Sequence, residues 1–247
     1  MWTTSATAHS EIPVGEVPIG LQSLCTELSH SGQLYLRRIA ALIDEIAPRP
    51  GSLLYVQAKK LAIRVNGLDP VVFSAIDATT HLQVAQVYLA LTTAAAVSFF
   101  DFVVQSFPFA ISQIRSCGER PFHHPTSDQS RRDFTAMMGK RGLVHLIIEN
   151  PSHDALFSIT SRLMFGGIIE GSMVLASEQE LQRELAQFLF FHNNYRPIPW
   201  LEGKTPLQKL KSINGFAGIH LFDPYGLPPA NGSTNGLKNV PAMQRTR

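Results

Sequence analysis

Between residues 53 and 148 the chain sets three apolar, β-branched stretches back to back and then alternates helix with strand, and few folds accommodate that order. The first stretch covers 53–65; after Asn66 and Gly67 come 71–76 and then 82–91. Such runs, separated by turn residues, predict three strands of an antiparallel meander. A helix is expected over 92–105, a strand over 111–115, a helix over 131–141 and a strand over 143–148. Three strands followed by helix, strand, helix and strand require a mixed sheet covered by helices, the α/β class.

The flanks read differently. Residues 1–19 carry two prolines and no sustained apolar period, the pattern of a flexible arm. Across 20–47 Leu36, Ile39, Ala40 and Ile43 recur at helical spacing after the break Ser31, Gly32, so short N-terminal helices joined by a turn are expected. Pro48, Arg49, Pro50 and Gly51 close that region and open a core taken to span 48–212. Within it 156–170 is ambiguous, because Gly166 and Gly167 interrupt the pattern. The stretch 177–191 is a clear helix, with Ser177 as N-cap, Glu180 three residues on, and a stripe of Leu181, Leu185, Phe188 and Leu189. From 213 to 247 glycine, proline and asparagine dominate, as in Pro228, Pro229, Ala230, Asn231 and Gly232, and a disordered tail is expected.

Composition excludes several classes of protein. With 247 residues, 45% of them hydrophobic, the chain can bury a substantial core. Two cysteines, Cys25 and Cys117, supply neither a disulfide framework nor a four-ligand zinc site. No basic segment followed by an apolar one opens the sequence, so the expected location is the cytoplasm. The apolar run 90–111 contains Asp101 and Pro108, which favours a buried helix and a turn over a membrane span. A net charge of +2 does not make a nucleic-acid binder, although the pairs Lys59/Lys60, Arg131/Arg132 and Lys140/Arg141 suit phosphate contacts. There is no nucleophile elbow and no glycine-rich phosphate loop. His123, His124, His145 and His153 match no metal-ligand spacing and read as surface or loop residues.

Several segments then carry a resemblance. The run Arg49, Pro50, Gly51, Ser52, Leu53, Leu54, Tyr55, Val56, Gln57, Ala58, Lys59, Lys60, Leu61 resembles the opening of the catalytic core in bacterial insertion-sequence transposases of the retroviral-integrase type. Ala75, Ile76, Asp77, Ala78, Thr79, Thr80 and Ile111, Ser112, Gln113, Ile114, Arg115, Ser116 are similar to later segments of that core. So are His192, Asn193, Asn194, Tyr195, Arg196, Pro197 and then Leu201, Glu202, Gly203, Lys204, Thr205, Pro206 and Leu210, the most specific of the matches. The resemblance covers about 47–212 in the right order. It implies an RNase H-like fold, a five-stranded mixed sheet flanked by helices with 53–65 as the central strand, and DNA as partner. It also implies homo-oligomers or co-assembly with an active relative.

Members of this family break and join DNA with two magnesium or manganese ions held by two aspartates and a glutamate. Hard divalent ions need anionic oxygens, and paired ions stabilise both the attacking and the leaving oxygen. Carried over by position, the resemblance puts the first aspartate at Gln57, the second at Cys117 and the glutamate at Thr160 or within a residue of it. The expectation is a degenerate copy: a folded protein with no cofactor and no working metal pair. The competing reading is a relocated acidic site drawn from Asp77, Glu119, Glu149 and Asp154, although Asp77 reads better as a strand-end contact. Candidate phosphate contacts are Lys59, Lys60, Arg115, Arg131, Arg132 and Arg162.

Overall fold

The computed structural model describes residues 30–61, 64–65, 67–117, 121–122, 128–148, 154, 156–157, 160–161 and 177–226. A helix α1 (His30–Ile46) precedes strands β1 (Leu54–Lys60), β2 (Val71–Asp77) and β3 (Gln83–Tyr88). Helix α2 (Thr93–Ser106), β4 (Gln113–Cys117), α3 (Asp128–Lys140), β5 (Val144–Ile148), α4 (Glu178–Tyr195), a 3-10 turn (Pro199–Leu201) and α5 (Pro206–Lys211) follow.

The strands form one five-stranded sheet in the order β3-β2-β1-β4-β5. β1 pairs antiparallel with β2, and β2 with β3, while β4 runs parallel to both β1 and β5. β1 is therefore central, and the meander followed by parallel crossovers is the five-stranded mixed α/β sheet expected from the sequence. Alternation along β1 sends its residues to two cores. Leu53 and Tyr55 join one under α1 (Ile39, Ile43), Leu156, Phe157 and α4 (Leu181, Leu185, Leu189). Leu54 and Val56 join the other under α2 (Phe99, Phe100, Val103), α3 (Phe134, Met138) and α5 (Leu207, Leu210). Sheets buried on both faces read as continuous apolar runs, as this one does.

Local chemistry explains the boundaries. Thr92 caps α2 by accepting from Ala95 N–H, and Ser177 caps α4 from Glu180 N–H at 3.1 Å, as its sequence predicts. Thr205 and Gln208 complete a capping box on α5. Gly51 stands at φ +78°, where a Cβ would lie 2.0 Å from the carbonyl oxygen of Ala110, so only glycine fits.

Three sequence expectations are corrected. Ser31 and Gly32, read as a break, lie inside α1, whose apolar stripe outweighs the roughly 1 kcal/mol that a helical glycine costs. The strand expected over 111–115 is displaced to Gln113–Cys117, because the ladder with β5 begins where Gln113 faces Val144. The first strand is regular only to Lys60, although the hairpin continues to a Val65–Leu68 bridge around the expected turn. Of the tail expected from 213, residues 213–226 are described, and Phe222 is buried in the second core. The arm 1–19, residues 227–247 and most of 156–170 lie outside the described residues. Among described residues no helix is long and apolar enough to cross a membrane.

Candidate functional site

The strand pairing sets two of the positions carried over by the resemblance, Gln57 and Cys117, on one face of the sheet. Tyr55 of β1 faces Arg115 of β4 and Val56 faces Ser116, and Gln57 and Cys117 are the next residues along these two strands. Tyr55 and Cys117 share the first core, which places Gln57, two residues beyond Tyr55, on the same face. Thr160 belongs to a helical turn that packs there through Leu156 and Phe157. The direct contact to the strand comes from its neighbour: Ser161 Oγ donates to Gln57 Oε1 at 3.0 Å. Thr160 is fully buried, and its hydroxyl donates back to the carbonyls of Leu156 and Phe157 at 2.9 and 3.0 Å.

This donor set does not fit a pair of hard divalent ions. A glutamine carbonyl is a neutral ligand, a threonine hydroxyl is neutral, and a thiol is soft. The glutamine oxygen already accepts from Ser161, and the threonine hydroxyl is turned to backbone. Among the described residues no three His, Cys, Asp or Glu side chains cluster to hold a metal.

Two of the four acids weighed as a relocated site, Asp154 and Asp77, are engaged in internal hydrogen bonds. Asp154 accepts from Tyr55 OH at 3.0 and 3.2 Å, from Arg115 at 3.3 Å and from Phe157 N–H at 2.8 Å. It thus caps the helical residues Leu156 and Phe157 and ties them to β1 and β4. Burial, and next the Asp154 carboxylate, push the Tyr55 phenol above its usual range, so the hydroxyl stays a donor. Asp77 is fully buried and accepts from Gly51 N–H (2.9 Å), Thr80 N–H (2.8 Å) and Thr80 Oγ1 (2.7 Å). Burial raises its carboxyl to about 6, with the hydrogen bonds opposing. Asp77 is the strand-end contact that the sequence suggested. Glu119 and Glu149 lie outside the described residues.

Of the candidate phosphate contacts, Lys59 and Lys60 are exposed at the end of β1. Arg115 is committed to Asp154. Arg131 and Arg132 lie on α3 with side chains outside the description, as does the whole of Arg162. His145, read as a surface or loop residue, is instead 8% exposed in β5, bridging Ser116 Oγ at 2.8 Å and Thr135 Oγ1 at 2.9 Å. His123, His124 and His153 lie outside the described residues.

Sequence reasoning did not assign roles to Ser161, Tyr55, Asn193 or Asn194. Only Asp154 left a local signal, a carboxylate three residues before Phe157 at helix-capping spacing.

No family model matches the chain, and no curated protein matches it. Solved structures do resemble it. The catalytic core domain of HTLV-2 integrase in complex with magnesium, in its trimeric form, is 12% identical over 64% of this chain and 95% of that one, with a TM-score of 0.47. A simian T-cell lymphotropic virus intasome in complex with a PP2A regulatory subunit is 12% identical over 80% of this chain and 59% of that chain, with a TM-score of 0.49. The catalytic core domain of BIV integrase is 15% identical over 63% and 91%, with a TM-score of 0.42.

Proposed function

We propose that this chain is an integrase/transposase-like protein that binds DNA without cutting or joining it, alone or assembled with an active relative. The observation that supports the reading is that neutral Gln57 and Cys117 follow the paired residues Val56 and Ser116 on neighbouring strands of the sheet, with Ser161 donating to Gln57. The sequence resemblance supplies the substrate class, and the placement bears on the chemistry. Three anionic ligands have become none. One unit charge pair at about 4 Å is worth roughly 4 kcal/mol at an effective dielectric of 20, so a metal pair loses most of its affinity. Asp77 and Asp154, the two described acids weighed as a relocated site, are consumed by internal hydrogen bonds.

DNA contact in this reading runs through exposed bases such as Lys59 and Lys60, so it is weak, sequence-tolerant and salt-sensitive. Titration of labelled duplex at low salt should show binding at micromolar protein. Lys59→Ala with Lys60→Ala should weaken it and flatten the dependence on log salt by about two units. With magnesium or manganese present, strand cleavage and strand transfer should stay at the level of a no-protein control. Absence of binding at low salt removes the DNA-binding half of the proposal, and metal-dependent cleavage by the unmodified chain removes the other half.

A further inference from the structure

His81 and His192 are both fully buried, yet neither belongs to the site above. His81 ends the turn between β2 and β3 in a left-handed conformation, φ 60°, with its N–H bonded to Asp77 O at 2.8 Å. Trp200, in the 3-10 turn after α4, donates its indole N–H to His81 Nε2, and the two rings meet edge to face at 5.8 Å. An indole nitrogen only donates, so Nε2 must be bare and the ring proton sits on Nδ1. His192 Nε2 lies 3.3 Å from the carbonyl oxygen of His81. A carbonyl only accepts, so that nitrogen carries the proton and His192 Nδ1 is bare. Both Nδ1 atoms are buried without a hydrogen-bond partner.

We propose that this histidine pair is an acid-sensitive latch, holding the Trp200 turn and the chain behind it against the sheet near neutral pH and releasing them when protonated. A second proton on His81 would set an N–H against the indole N–H. A second proton on His192 would bury a charged N–H with no acceptor. The surrounding charges offer no relief. Arg196 at the end of α4 and Lys209 of α5 are positive and oppose protonation. The Asp77 carboxylate is taken by Gly51 and Thr80, and Glu202 is exposed and bonded to Lys204. On α1, which packs against the Trp200 turn, Arg37, Arg38, Asp44 and Glu45 are all exposed. In keeping with this geometry, burial lowers His81 to about 3 and His192 to about 4.

Protons are thus taken up by the open form, whose imidazoles titrate at about 6.5. Below that pH the open-to-closed ratio rises about ten-fold per histidine per pH unit, about a hundred-fold for the pair. Opening also reaches the sheet edge. Asn194, two residues beyond His192, clasps the backbone of Phe222, and Tyr225 caps both backbone groups of Ala85 in β3. Release of this segment would bare part of an edge strand.

The chain has two tryptophans, Trp2 and Trp200, so Trp2→Phe leaves Trp200 as the only reporter. On acidification from pH 7.5 to 4 its emission should shift to the red, reversibly and steeply, with an uptake of nearly two protons beyond that of the His81→Gln, His192→Gln variant, while far-UV circular dichroism keeps its amplitude. His81→Gln with His192→Gln retains an acceptor for Trp200 and a donor for the carbonyl but cannot titrate, and the shift should vanish. A shift that persists in that variant, a wild-type emission unchanged down to pH 4, or a simultaneous loss of circular dichroism overturns the latch. Should the double variant fail to fold, the wild-type histidine ring protons and Trp200 indole proton can be followed by NMR. Their co-titration supports the latch, and independent titration overturns it.

Discussion

The side-chain amide of Asn193 grips both backbone groups of Gln83: Gln83 N–H donates to Oδ1 at 2.8 Å and Nδ2 donates to Gln83 O at 2.7 Å. β3 is an edge strand, and side chains also cover both backbone groups two positions on and the N–H four positions on. Tyr225 OH bonds both the N–H and the C=O of Ala85, and Gln182 Oε1 accepts from Val87 N–H. Unpaired edges template aggregation, and here side chains from α4 and the C-terminal segment occupy alternate edge groups instead of a further strand.

Asn193→Leu should therefore be costly. It leaves two buried backbone groups unsatisfied, at about 1–3 kcal/mol each, so a loss of roughly 2–6 kcal/mol is expected in urea unfolding. Turbidity should rise with it, because the uncovered edge can pair between molecules. A loss below about 0.5 kcal/mol would mean that water satisfies Gln83 just as well.

Asp154 is the second test. Its partner Arg115 is a quarter exposed, which discounts the cost of a broken buried pair to about 1–3 kcal/mol for Asp154→Asn. The loss should be the same with and without magnesium, as measured by denaturant titration in chelator and in millimolar metal. A loss that appears only with metal would identify Asp154 as a ligand.

The physical form of each signal decided how much was legible in the sequence. Strands β1 to β3 were legible because their β-branched runs are long and separated by turn residues. The exact start of β4 was not, since a parallel register depends on where β5 lies and not on the text of residues 111–117. The same holds for α1, where a local glycine signal lost to packing. Asn193 and Asn194 stood out as text, but their partners Gln83 and Phe222 are 110 and 28 residues away, so the text could not say that they clasp backbone. Phe222 and Tyr225 were hidden in a glycine- and proline-rich segment, where isolated aromatics make no periodic pattern.

Asp77 gives a pH-dependent prediction. Its folded carboxyl titrates at about 6, above the ordinary 3.8, so the protonated acid is favoured in the folded state. That contribution is complete below the unfolded value and is lost as pH rises through the folded one. Asp77→Asn has no such term, while the histidine pair is common to both proteins and cancels in their difference. The wild type's advantage over Asp77→Asn should shrink by roughly 1 kcal/mol between pH 5 and pH 7.5. An advantage that grows over that interval would show that the three hydrogen bonds outweigh burial and hold the carboxylate ionised.

The last prediction restores the missing charges. Gln57→Asp, Cys117→Asp and Thr160→Glu together return three anionic oxygens to the shared face, and magnesium or manganese should then be held measurably in calorimetry. Single reversions should bind little, because one carboxylate cannot replace a three-ligand site. Thr160 is fully buried and its hydroxyl faces backbone, whereas Ser161 Oγ touches Gln57 at 3.0 Å. A triple variant with Ser161→Glu in place of Thr160→Glu should therefore bind metal more tightly and lose less stability in its absence, because the glutamate can reach the strand without a charge being forced into the core. Metal should raise the melting temperature of that variant and leave the unmodified chain unchanged. Equal metal affinity in the unmodified chain and both triple variants would show that ions bind away from this face, and the assignment of Gln57 and Cys117 to the vacated ligand positions would fall.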